Sequence, residues 1–159
     1  MADARFEDGA EQPLRLRAET VDDLTIIATY VQDAVGETKE IAWMAKKHRF
    51  AMLLNRFRWE DREAAEQQGR PYERVQSLLV VESCLKVLAQ GIDPADKDTV
   101  FDLLDITFEA GEEGAGTVVL TLAGDGAIAL EVECLDVTLS DVSRPYIARS
   151  QKVPSHPVE

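Results

Sequence analysis

Ile41-Ala42-Trp43-Met44 and Phe50-Ala51-Met52-Leu53-Leu54-Asn55-Arg56-Phe57-Arg58-Trp59 flank the polar tetrapeptide Lys46-Lys47-His48-Arg49. Two apolar runs rich in aromatic and aliphatic residues, separated by a short polar stretch, read as a β-hairpin over 40–59. Phe50, Met52 and Leu54 share one face of its second strand and Ala51 and Leu53 the other, which predicts a strand covered on both sides. Beyond Leu54 strict alternation sets Asn55, Phe57 and Trp59 on one side and projects Arg56 and Arg58 from the other.

Working outward, Leu14-Arg15-Leu16-Arg17-Ala18 alternates apolar with basic and predicts a half-buried strand. Thr20 supplies a capping hydroxyl, Asp22 and Asp23 oppose the helix dipole, and Leu24, Ile27, Tyr30, Val31 and Ala34 recur at helical spacing. An amphipathic helix over about 21–34, closing near Gly36, is expected. Residues 60–73 hold no core-sized aliphatic residue and read as a short exposed helix ending at Gly69. Strand-like runs follow at 75–81, 85–92, 103–109, 117–123, 127–134 and 135–141. Gly124-Asp125-Gly126 is a hairpin turn, because glycine accepts positive φ.

The resulting fold class is α+β: a mostly antiparallel β-meander with one N-terminal helix and short additional helices. Residues 14–143 form its single domain, with a loose arm at 1–13 and an extended tail at 144–159. Val81-Glu82-Ser83-Cys84-Leu85-Lys86-Val87 also matches Val132-Glu133-Cys134-Leu135-Asp136-Val137 across one gap. The match suggests a duplicated unit, 40–92 and 102–142, each with hairpin, third strand, Cys-Leu bend and fourth strand. Chance repetition of Val, Leu and Glu in any antiparallel sheet is the competing explanation. If the repeat is real, residues 60–73 stand where the second unit has only a tight turn, the natural place for an added function.

Composition restricts function. The 159 residues are 45% hydrophobic and 30% charged, enough for one substantial core without disulfides or metal. A net charge of −13 argues against general nucleic-acid binding. No run approaches 18 apolar residues and the first 25 are acidic, so neither a membrane span nor a signal peptide is expected, and a cytoplasmic location is. Cys84, Cys134, His48 and His156 are mutually isolated, which disfavours a metal centre; both cysteines read as buried free thiols. The glycine clusters lack the Lys-Ser or Lys-Thr of a P-loop, and no cofactor is implied. Glu131, Glu133, Asp136 and Asp141 alternate with apolar residues as a solvent face does, and no catalytic pair emerges.

Leu53-Leu54-Asn55-Arg56-Phe57-Arg58-Trp59-Glu60, Leu122-Ala123-Gly124-Asp125-Gly126-Ala127-Ile128 and Arg144-Pro145-Tyr146 resemble a family of small uncharacterised bacterial proteins, a domain of unknown function. The resemblance spans roughly 12–150. It implies a cytoplasmic single-domain protein and no mechanism.

Residues 41–80 are the one basic segment, with eight cations against Glu60, Asp61, Glu63, Glu66 and Glu73. Those acids can pair with the arginines in a solvated face. Alternatively Arg56, Arg58, Arg62, Arg70 and Arg74 contact an anion, with Trp59 and Tyr72 as apolar platforms. Arg56 and Arg58 are then about 7 Å apart and able to grip one group. The expected function is a binding or interaction module without a catalytic residue. The alternative is a small-molecule binder or enzyme acting on an anionic ligand. Partners are a protein or a small anion, not a membrane, and unpaired sheet edges leave a homodimer open.

Overall fold

The computed structural model describes residues 12–93 and 95–155. Most of the expected 1–13 arm, and His156 with the last three residues, lie outside them. The described chain is mostly antiparallel sheet with few helices. Its elements are β1 (Arg15–Ala18), α1 (Val21–Tyr30), β2 (Ala34–Met44), β3 (Arg49–Phe57), α2 (Arg62–Gln68), β4 (Glu73–Val81), β5 (Cys84–Gln90), β6 (Val100–Ala110), β7 (Gly116–Leu122), β8 (Gly126–Val132), β9 (Val137–Asp141) and β10 (Tyr146–Ile147). Single 3-10 turns occupy Ala45–Lys47 and Trp59–Asp61.

Thr20 caps α1 by accepting from the Asp23 amide, and Leu24, Ile27 and Ala28 form its buried face. The helix is shorter than its periodicity predicts. Asp33 adopts φ +59 and donates its amide to Leu103 O at 2.8 Å, turning the chain before Ala34. Ala34 and Gly36 therefore belong to β2, six residues before the expected strand start. Glycine is required at 36 because a Cβ there would lie 2.4 Å from the Phe101 ring.

The ten strands form one open sheet in the order β1-β9-β4-β3-β2-β6-β7-β8-β5, with β10 pairing the start of β4. The hairpins expected at β2–β3 and β7–β8 are present. The simple meander is not. β5 does not pair with β4 but with β8, and β9 does not pair with β8 but with β4. The fourth strand of each half is thus exchanged into the other. Only Glu82 and Ser83 join β4, third in the sheet, to β5 at its far edge, a link of at most about 11 Å. The sheet must roll until these ends meet, and the two bends cross where Glu82 N donates to Asp136 O and Glu133 N to Ser83 O.

Rolling encloses one apolar core. Phe50, Met52, Leu54, Leu79, Leu103, Leu120, Leu130 and Leu139 are fully buried in it, and α1 packs on β1 and β6. Cys84 is a buried thiol opposite Val132, but Cys134 is exposed, so only one cysteine acts as core. The stretch after Ser143 is extended as expected yet docked: β10 pairs with Arg74 and Glu73, and Ala148 is buried.

Arg56 closes the end of this core. It continues the Phe50, Met52, Leu54 face of β3 and is wholly buried. Its Nε donates to Ser77 Oγ (3.0 Å) and Asp141 Oδ1 (3.1 Å), Nη1 to Glu60 Oε1 (2.9 Å) and Phe57 O (3.4 Å), and Nη2 to Glu60 Oε2 (2.8 Å) and Asp141 Oδ2 (3.0 Å). Tyr30 of α1 lies under the guanidinium, 5.8 Å from its ring centroid. Asp141 is consequently not part of a solvent face. Burial works against its charge, but bonds donated by Arg56, Ser77 and the Leu14 amide outweigh burial and hold the carboxyl below its ordinary value.

Removing one member of a buried ion network strands the others. Arg56→Gln or Asp141→Asn should each lower the unfolding free energy by about 3–5 kcal/mol in urea denaturation. A carboxyl whose pKa is depressed by folding stabilises the fold above its unfolded value, and that contribution vanishes as pH falls through the depressed one. Wild-type stability should therefore decline in the acid range, below the ordinary carboxylate pKa, with a steeper slope than that of Asp141→Asn.

Candidate functional site

β3 and β4 pair in register from Phe50↔Val81 to Phe57↔Arg74, so the basic residues of this strand pair divide between two faces. Arg56 and Arg58 lie on the inner face with Val75 and Ser77. Arg74 lies on the outer face with Asn55, Phe57 and, across β10, Tyr146.

The expected site residues separate by what their donors already touch. Arg56 has an acceptor for every N–H. Arg58 is buried and ion-paired with Glu73, Glu60 and Asp61. Arg70 forms a fork with Asp61 (3.0 and 3.2 Å), held by the αL C-cap at Gly69. Arg62 sits 3.7 Å from Glu66 one turn along α2. Phe57 is the centre of an aromatic cluster, meeting Trp59 and Tyr72 edge-on at 4.8 and 5.4 Å. The Trp59 indole donates to Gln32 O, and the Tyr72 hydroxyl donates to Glu66 Oε2 at 2.6 Å. That bond is the main cause of the upward shift of the Tyr72 pKa.

Arg74 differs. Its Nη1 donates to Asn55 O (3.0 Å) and Asn55 Oδ1 (3.2 Å), while Nε and Nη2 have no acceptor among the described residues. No carboxylate of those residues forms a salt bridge with it; Asp102 and Asp33 act only through longer-range attraction. Partial burial pulls its pKa down and outweighs the longer-range attraction of Tyr146, Asp102 and Asp33. The unfilled Nε–Nη2 edge is the side on which a guanidinium accepts a carboxylate or phosphate through two parallel bonds.

Arg74 lines a half-open cavity of about 550 Å3 together with Val35, Asn55, Tyr146, Arg149 and Ser150. Val35 and Asn55 are register partners of β2 and β3, and Tyr146 is the partner of Arg74 itself. Arg149 likewise has no salt bridge among the described residues. Partial burial raises the Tyr146 pKa against the opposing pull of Arg74 and of a hydrogen bond with Asn55. Two cations, a phenol and a serine thus line one cavity. Sequence reading named Arg74 but not Asn55, Tyr146, Arg149 or Ser150. Tyr146, Arg149 and Ser150 lie in what reads as a tail, and Asn55 and Tyr146 belong to the stretches that carry the family resemblance.

Residues 14–156 match the profile of a family described as protein of unknown function, DUF2948. The chain belongs to that family. No curated protein and no solved structure matches it. The match reaches past β10 and Arg149, so the family unit includes the docked C-terminal segment. Among the described residues no helix is long and apolar enough to cross a membrane, and no three of His, Cys, Asp and Glu converge as a metal site would require.

A half-buried cation that no carboxylate meets gains no ion pair from the fold, so losing its charge costs little. Arg74→Gln should leave the unfolding free energy within about 1 kcal/mol of wild type or raise it. A loss as large as that for Arg56→Gln would mean that Arg74 is architectural.

Proposed function

We propose that the protein is a cytoplasmic binding module that recognises an anionic group, carboxylate or phosphate, at the Arg74 cavity. The observation that carries this reading is the open Nε–Nη2 edge of a partly buried arginine with no carboxylate partner. Arg149, Tyr146 and Ser150 supply further donors around the same space, so that one anion can accept from several directions. The free thiols Cys84 and Cys134 suit a reducing compartment. Of the arginines first considered as anion contacts, Arg74 is the one this reading keeps as a ligand contact; Arg56 and Arg58 position the strands that carry it, and Trp59 and Tyr72 brace Phe57 behind it.

We also infer that the two halves descend from a duplication. The order β9-β4-β3-β2 followed by β6-β7-β8-β5 has the same plan from either end, each half a three-strand meander completed by the fourth strand of the other. The sequence match that aligns Cys84 with Cys134 is offset from the structural equivalence, in which Cys84 opposite Val132 corresponds to Val137 opposite Val81. In the second half the counterpart of the segment before β4 is the tight Gly124-Asp125-Gly126 turn, and the anion cavity combines β2, β3 and β4 with Tyr146, Arg149 and Ser150 of the C-terminal stretch, which follows both halves.

Isothermal titration calorimetry with inorganic phosphate and with succinate tests the function. A bidentate arginine contact plus a second cation contributing about 4 kcal/mol together corresponds to a Kd of about 1 mM. Arg74→Gln should abolish the heat, and Arg62→Gln, which removes the same charge from an exposed ion pair, should keep it. Equal binding by both variants would refute the Arg74 assignment.

A further inference from the structure

The inner face of the sheet is not covered everywhere. β2 pairs with β6 only through Glu37, and Ile41–Met44 pair with β3 alone. β5 pairs with β8 alone and is the sheet's far edge. Between these two free edges lies an apolar cavity of about 350 Å3, lined by Ile41 and Trp43 of β2, Phe50 of β3, Val87 and Ala89 of β5, Ile128 of β8, and Thr38, Ile92 and Lys97. Phe50 and Ile128 form its buried floor, whereas Trp43 is 37% exposed at its mouth.

Two unpaired strand edges facing one gap invite a further strand, but the gap is closed at both ends. At one end Cys84 N donates to His48 O at 2.8 Å, tying the start of β5 to the β2–β3 turn. At the other, Thr38 N donates to Thr99 O at 3.0 Å and the Thr38 hydroxyl to Asp96 O, tying β2 to the loop that carries Lys97. An extended peptide needs open ends to continue beyond its paired residues; a compact molecule does not. A volume of this size with apolar walls and few polar groups falls in the range of small-ligand sites.

Lys97, an exposed residue of the 93–99 loop, is the charged group that the lining offers an occupant. It is the one ionisable side chain among the lining residues. The Thr38 hydroxyl spends its proton on Asp96 O and is left as an acceptor. We infer that this cavity is a second ligand site, distinct from the Arg74 cavity, and that it takes a small monocarboxylate with an apolar body, the body against Trp43, Phe50, Val87 and Ile128 and the carboxylate on Lys97. The inference does not rest on the anion-binding reading above, because the two cavities share no residue.

Trp43 and Trp59 are the two tryptophans of the chain, so in Trp59→Phe the emission reports on the cavity mouth. Octanoate should blue-shift Trp43 emission saturably in that variant. Adding Lys97→Gln should weaken octanoate about tenfold, the loss expected of one charge-assisted contact, and leave the neutral octanamide unaffected. Adding Ala89→Leu, which narrows the cavity, should weaken both probes, and Arg74→Gln should weaken neither. Absence of any saturable shift with octanoate overturns the inference. So does an affinity for octanoate that ignores Lys97→Gln or is lost with Arg74→Gln. Should Ala89→Leu fail to fold by circular dichroism, the Lys97→Gln comparison of charged and neutral probes decides alone.

Discussion

The guanidinium of Arg56 joins parts of the chain that are otherwise far apart. It reaches β4 through Ser77, β9 through Asp141, the turn after β3 through Glu60, and α1 through the Tyr30 ring. Asp141 extends the network to β1 by accepting from the Leu14 amide. Five segments that span most of the sequence are therefore held by one cation and two carboxylates. A buried cation is tolerable only because every donor is matched. The exchange of β9 into the first half brings Asp141 to Arg56, so strand topology and ion network depend on one another.

This commitment explains how one pair of strands serves two purposes. Period-two alternation sends Arg56 and Arg58 inward and Arg74 outward, although all three belong to the same β3–β4 ladder or its end. The inward residues meet carboxylates and become architecture. The outward one meets Asn55 and a cavity. Rigid inner anchoring keeps the outer face in place, which the recognition proposed at Arg74 requires, because a fork misplaced by about 1 Å loses its paired bonds. The aromatic cluster around Phe57 supports the same region from the outer face.

Much of the local structure is legible in the sequence. The β2–β3 hairpin, the Gly124-Asp125-Gly126 turn, the cap at Thr20 and the stop at Gly69 each follow from short-range chemistry. The exchange of β5 and β9 is not legible, because it arises from rolling of the whole sheet, which no window of sequence contains. The fate of Arg56 was signalled, though weakly: it is in phase with Phe50, Met52 and Leu54, and Glu60 stands four residues on. Its other carboxylate, 85 residues away, gives no local sign. Arg74 was visible as one cation among eight. Its distinction is the lack of a partner, a property of the assembled fold and not of its neighbours in sequence.

The central claim is that Arg56 is spent on the fold and Arg74 is not. Nitrogen-15 spectra of the arginine side chains test it directly, because a guanidinium Nε–H exchanges with water at a rate set by burial and bonding. The account predicts an Arg56 Nε–H that is strongly protected and unmoved by added phosphate. It predicts an Arg74 Nε–H that exchanges rapidly and shifts on phosphate addition. Fast exchange at Arg56, or a protected Arg74 resonance indifferent to phosphate, would contradict it.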